Sequence, residues 1–136
     1  MKYALTLFSL LMVSFTSSAN VSIITHAENT LTLSNDVIER IFLGKQKTLP
    51  SGHTIVPITM EEALEDQQTF NSTVLNKSSS QLKAYWSKLI FTGKGTPPKA
   101  VSTKDEMLEL ISTNPNMIGY VVGAVENHNV NVVATY

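Results

Sequence analysis

Gly93-Lys94-Gly95-Thr96 is the best candidate anion cradle in the chain. Two glycines can expose backbone amides, and a lysine ammonium and a threonine hydroxyl stand beside them. The spacing is not that of a P-loop, so Gly95 and Thr96 are candidate ligand contacts without a nucleotide motif around them. A helix C-cap followed by a loop is the stronger reading of the same run. Thr25-His26 closes an expected strand, a place where ligands often sit in α/β folds. Thr59 and Met60 are read as opening a helix beside it, and Ser102-Thr103 as opening another. Their hydroxyls could touch a ligand, although a helix start uses such residues first as caps.

Other constellations carry less. His26, His53 and His128 are scattered, with no carboxylate or cysteine at metal-ligand spacing. No Gly-x-Ser-x-Gly elbow is present, and the chain has no cysteine. Glu61/Glu62 and Glu65/Asp66 could do acid/base work, but a solvated, capping helix face explains them better. Nothing here argues for an enzyme, a metal or a cofactor.

The elements that must position these residues alternate. Val21 to Thr25 is β-rich. Ser34 suits an N-cap, Asp36 a first turn, and Val37, Ile38, Ile41 and Phe42 one helical face. Gly44 falls where a helix C-terminus needs positive φ. Thr54 to Ile58 reads as a second strand. Thr59-Met60-Glu61-Glu62 fits a capping box, with Met60, Ala63, Leu64, Phe70 and Val74 on the apolar side and Gln67 interrupting the stripe. A helix from Ser79 to Phe91 carries Leu82, Tyr85, Trp86, Leu89 and Ile90 on one face. That stripe is read as core, and a docking edge for a partner protein is its alternative. Gly93 to Pro98 is a loop and Lys99 to Val101 a short strand. Thr103-Lys104-Asp105-Glu106 opens a last helix with Met107, Leu108, Leu110 and Ile111 inward. Met117 to Val122 and Val130 to Thr135 are two final strands, joined by a polar turn around Glu126 to Asn129. The order βαβααβαββ predicts an α/β fold, a mixed sheet flanked by helices.

The first residues stand apart. Lys2, an apolar run from Ala4 to Phe15 and the small residues Ser17-Ser18-Ala19 make a secretory signal peptide, too short to span a bilayer. Residues 1–19 are therefore read as the signal and 20–136 as one domain, with no membrane insertion after cleavage and a periplasmic destination. A single domain of that size buries about two-thirds of its unfolded surface. Without cysteine it has no disulfide staple and no lipid-accepting thiol. Ten Lys+Arg against 11 Asp+Glu, a net charge of −1, exclude a basic footprint for nucleic acid or an anionic membrane.

Leu33-Ser34-Asn35-Asp36-Val37-Ile38-Glu39-Arg40-Ile41-Phe42-Leu43-Gly44-Lys45 resembles a stretch ending I-F-x-G-k in the phosphate-type periplasmic substrate-binding proteins. Asn114-Pro115-Asn116-Met117-Ile118-Gly119-Tyr120-Val121 resembles their n-P-g-a-I-G-Y-v element. Leu82 to Lys99 is similar to a subset of short, single-lobe relatives. The resemblance spans roughly residues 21–125 and implies one periplasmic-binding-protein-like lobe of type II. It also implies a non-catalytic role in uptake or sensing of a small oxyanion such as phosphate, with a membrane transporter or sensor as partner. Full-length receptors of the family clamp the anion between two lobes, and this chain matches chiefly one. Pairing of two copies into a homodimer that rebuilds a cleft is a further expectation. In the family, a Ser-Gly-Thr-Arg-like stretch before a Phe holds the phosphate. Counting back from Phe70, the matching positions here are Leu64, Glu65, Asp66 and Gln67. The only arginine, Arg40, lies in the first helix. A ligand-free accessory or protein-interaction module that keeps the lobe as scaffold is the alternative function.

Overall fold

The computed structural model describes residues 19–126 and 129–136. Residues 1–18 of the 1–19 signal-peptide reading, His128 and part of the turn before the last strand lie outside them. The elements follow the expected order: β1 (Val21–His26), α1 (Asn35–Phe42), β2 (Val56–Met60), α2 (Glu65–Thr73), α3 (Ser79–Phe91), β3 (Lys99–Val101), α4 (Lys104–Thr113), β4 (Met117–Val122) and β5 (Val130–Thr135).

They build one five-stranded mixed sheet in the order β3-β2-β4-β1-β5. β2 runs parallel to both β3 and β4, and β1 runs antiparallel to β4 and β5. β1, with strands on both sides, buries Val21, Ile23 and Ile24 completely. Alternation along β4 sends side chains to opposite faces. Tyr120 stacks on Phe70 of α2 at 4.0 Å between ring centroids, and Phe42 of α1 meets Phe70 edge-on at 4.8 Å. On the other face Gly119 lies under α4. A Cβ there would collide with Met107 Sδ and come within 3.2 Å of Ile111, so the Gly-Tyr pair sets how closely α4 approaches.

Local chemistry explains most boundaries. Ser34 accepts from the Val37 N–H, and Gly44 takes φ +72° after α1. Ser78 and Gln81 form a reciprocal capping box at the start of α3. Thr103 caps α4 through the Glu106 N–H, while the Glu106 carboxylate accepts from the Ser102 N–H.

Two expectations are corrected. Thr59 and Met60 do not open a helix; they end β2, which spans Val56–Met60 rather than Thr54–Ile58. Thr54 instead forms an isolated bridge with Thr48. Pairing with β3 through Ile58, Thr59 and Met60 overrides the local capping signal. α2 begins later, at Glu65, with Leu64 in the cap position and no side-chain cap bond. Ala63, expected on the apolar side, is exposed. The second correction concerns α3. Of the stripe expected in the core, Leu82 is buried and Tyr85 and Trp86 pack half-buried against the core, but Ile90 is 54 % exposed.

Candidate functional site

The C-terminal end of β2, the first turn of α2 and Tyr120 of β4 meet in a buried polar network. Gln67, three residues before Phe70 on α2, points inward. Its Oε1 accepts from the Met60 N–H at 2.9 Å and from the Tyr120 hydroxyl. The Met60 N–H also reaches the Tyr120 oxygen at 3.2 Å. The Gln67 amide donates to Asn71 Oδ1 at 2.8 Å, one turn along α2. Gln67, Asn71 and Tyr120 are all buried. Each polar side chain of this network thus finds a partner within the chain, as burial demands.

Burial pushes the Tyr120 phenol well above its ordinary range, the Met60 hydrogen bond works against that, and the Asp66 charge adds to it. The hydroxyl is therefore a donor at neutral pH. Burial also raises the Tyr85 and Tyr136 phenols, with the Glu39 charge adding at Tyr136. A phenol held protonated in the folded chain contributes stability below the unfolded value of about 10, and that contribution is lost as pH rises above it. Urea midpoints between about pH 8 and 11 are expected to fall above pH 10, and Tyr120→Phe is expected to remove part of that fall.

Beside the network lies a groove of about 350 Å³. Thr59, Met60, Gln67 and Asn71 line it from β2 and α2. Leu82, Lys83, Trp86 and Ile90 line it from α3, with Pro97, Pro98 and Ala100 on the far side. Its lining is mostly apolar, with Glu62 and Lys83 as the charged members. A second recess of about 350 Å³ shares Trp86 and holds Lys47, Lys94, Gly95 and Thr96. The glycine run does cap α3: Gly93 N–H donates to Ile90 and Lys94 N–H to Leu89. Gly95 and Thr96 follow as an open loop with two lysines at its edge.

The candidate contacts therefore fall into three places. Thr59 and Met60 line the groove, and Gly95 and Thr96 line the adjoining recess. Thr25 and His26 are apart from both. β1 runs antiparallel to its neighbour, and Thr25 is level with Ile118 and Pro57. Met60 lies three residues further along β2, roughly 10 Å away along the strands. Thr25 and Met60 are at opposite ends of the sheet, so the expectation that they adjoin is corrected. Thr25 Oγ1 donates to Asn29, and His26 Nδ1 accepts from the Glu28 N–H. Among the described residues no group of His, Cys, Asp or Glu could hold a metal ion, and no helix is long and apolar enough to cross a membrane. Sequence reasoning missed Gln67, Asn71 and Tyr120 as one network. Gln67 and Asn71 four apart on an otherwise apolar helix face are the signal that could have found it.

Comparison with solved structures settles the fold. An ABC-type phosphate transport receptor from Vibrio cholerae superposes with a TM-score of 0.65 at 15 % identity, covering 85 % of this chain and 45 % of that one. A phosphate-bound putative phosphate ABC transporter substrate-binding protein from Clostridium perfringens gives 0.66 at 19 %, covering 85 % and 44 %. The fold is a single type II periplasmic-binding-protein-like lobe. PstS from Borrelia burgdorferi is similar more loosely, at 0.56 and 17 %, covering 76 % of this chain and 40 % of that one. The chain thus spans less than half the length of each. No family model and no curated protein matches it.

Proposed function

We propose that this protein is an exported, non-catalytic accessory lobe that keeps the solute-receptor scaffold and works by binding another protein rather than by enclosing an anion. The observation that carries this is Gln67. The position matching the family's phosphate-holding arginine carries a neutral amide, and that amide is spent on Met60, Tyr120 and Asn71. The residues before it, Glu65 and Asp66, sit in the first turn of α2. Carboxylates there suit the helix dipole but repel a phosphate dianion. Arg40 is engaged by Asp36 at 3.0 Å and supplies no clamp. The leader-like first residues support a periplasmic setting, and a transporter or sensor in the membrane is a fitting partner class.

A second reading, uptake or sensing of a small oxyanion such as phosphate, is favoured by the recess at Gly95 and Thr96, where Lys47 and Lys94 converge. Thermal unfolding of the purified protein with millimolar phosphate, sulfate and other anions separates the two. Ligand at about a hundred times Kd adds roughly 2.7 kcal/mol of stability. The accessory-lobe reading expects no specific shift. A saturable rise with one anion overturns it in favour of the second reading.

A further inference from the structure

Two buried amides in the wall of the groove have donor capacity that the chain does not use. Gln67 is 8 % exposed and Asn71 3 %, and both line the groove of about 350 Å³. A side-chain amide nitrogen carries two N–H donors. The Gln67 nitrogen gives one of them to Asn71 Oδ1, and the other has no acceptor among the described residues. The Asn71 nitrogen reaches Ser79 Oγ at 3.5 Å, beyond the usual hydrogen-bond range. Neither amide can turn over to hide these donors. Gln67 Oε1 is held by the Met60 N–H and the Tyr120 hydroxyl, and Asn71 Oδ1 by the Gln67 amide. A buried donor beside a cavity is satisfied by water or by a ligand.

We propose that the groove binds a small uncharged solute with an apolar ring and a carbonyl oxygen, the oxygen accepting from Gln67 and Asn71. The proposal goes beyond the accessory-lobe reading and does not rest on it, since that reading concerns a protein partner and an anion. The groove is well placed. Met60 ends β2 and Ala100 lies in β3, two parallel strands, and α/β folds hold ligands at the carboxyl ends of such strands. Its volume is at the small end of ligand-sized pockets, which suits a single ring. The ring matches walls that are mostly apolar, Trp86 among them. The carbonyl matches the free groups at the wall, which are N–H donors, because both amide oxygens are already taken. The charged members, Glu62 and Lys83, are opposite in sign and both exposed, so the inner wall carries no charge. Moving a carboxylate or an ammonium onto such a wall costs far more than moving a carbonyl that is hydrogen-bonded there.

NMR titration of the isotopically labelled protein with cyclohexanone, acetophenone and benzamide tests this, with cyclohexanecarboxylate and cyclohexylammonium run in parallel. At least one neutral probe is expected to give saturable shifts at the side-chain amides of Gln67 and Asn71. The indole N–H of Trp86 should move with the same dissociation constant, and it is unambiguous because the chain has one tryptophan. The charged analogues should bind at least about tenfold more weakly. Ser87→Phe, at an exposed position in the lining, should fill the groove and abolish the shifts. Thermal unfolding of that variant without probe should match the parent, so failure to fold cannot imitate the result. Gln67→Glu keeps an acceptor for Met60 and Tyr120 but removes both amide hydrogens, and should weaken binding about fivefold or more. No saturable shift with any neutral probe, equal binding of the charged analogues, or binding indifferent to Ser87→Phe overturns the proposal. Each of these results leaves the accessory-lobe reading to its own test with anions.

Discussion

Phe70→Ala is expected to destabilise the protein by about 3–5 kcal/mol, the range for emptying a fully buried aromatic site. Phe70 has no exposed surface. It lies flat against Tyr120, with 10° between the ring planes, and takes the edge of Phe42 at 63°. The substitution removes both ring contacts and the only completely buried apolar side chain of α2. The remaining members cannot close the gap, because Tyr120 is fixed through its hydroxyl to Gln67 and Phe42 belongs to another helix. A chain of this size has about 5–15 kcal/mol of net stability. The loss should lower the melting temperature by roughly 10–20 °C, at about 4 °C per kcal/mol. In urea, the midpoint should fall while the slope stays constant.

Gln67→Leu should cost about 2–5 kcal/mol, although the side chain is close in volume and apolar. The cost comes from the partners. The Tyr120 hydroxyl loses its acceptor and Asn71 Oδ1 loses its donor, and each buried orphan costs about 1–3 kcal/mol. The Met60 N–H keeps only the longer bond to Tyr120. The double variant Gln67→Leu with Tyr120→Phe removes the hydroxyl orphan but takes from the Met60 N–H its last acceptor, so its loss should differ from the sum of the single variants. Additive losses in this cycle would show that Gln67 and Tyr120 do not act as a unit, and that the hydrogen bonds around Met60 are incidental.

The residues that closed elements locally were the legible ones. Ser34, Gly44 and the Asn114-Pro115 stop mark helix ends through their own backbone and side-chain chemistry, so α1 and α4 were readable from a few neighbours. The Ser79–Phe91 helix and both final strands were readable from periodicity. The β2–α2 boundary was not, because the local signal at Thr59 to Glu62 is a good cap and only pairing with Lys99 to Val101, some forty residues away, draws Thr59 and Met60 into a strand. Sheet order and strand direction share that long-range origin, and so Thr25 and His26 were placed beside Thr59 when they lie at the other end of the sheet. The candidate site suffered most. Gln67 read as a flaw in an apolar stripe, since its partners Met60 and Tyr120 come from two other strands. The stripe on α3 was visible in the sequence, whereas the exposure of Ile90 depends on where the fold stops covering the helix beyond Tyr85 and Trp86.

The most direct test is to titrate the isotopically labelled protein with phosphate into the millimolar range and follow every backbone amide by NMR. The network around Gln67 predicts no saturable shift at Leu64 to Gln67 and none at Gly93 to Thr96. Saturable shifts at either segment, with a common dissociation constant, would contradict the reading of this lobe as one that holds its scaffold without holding the anion.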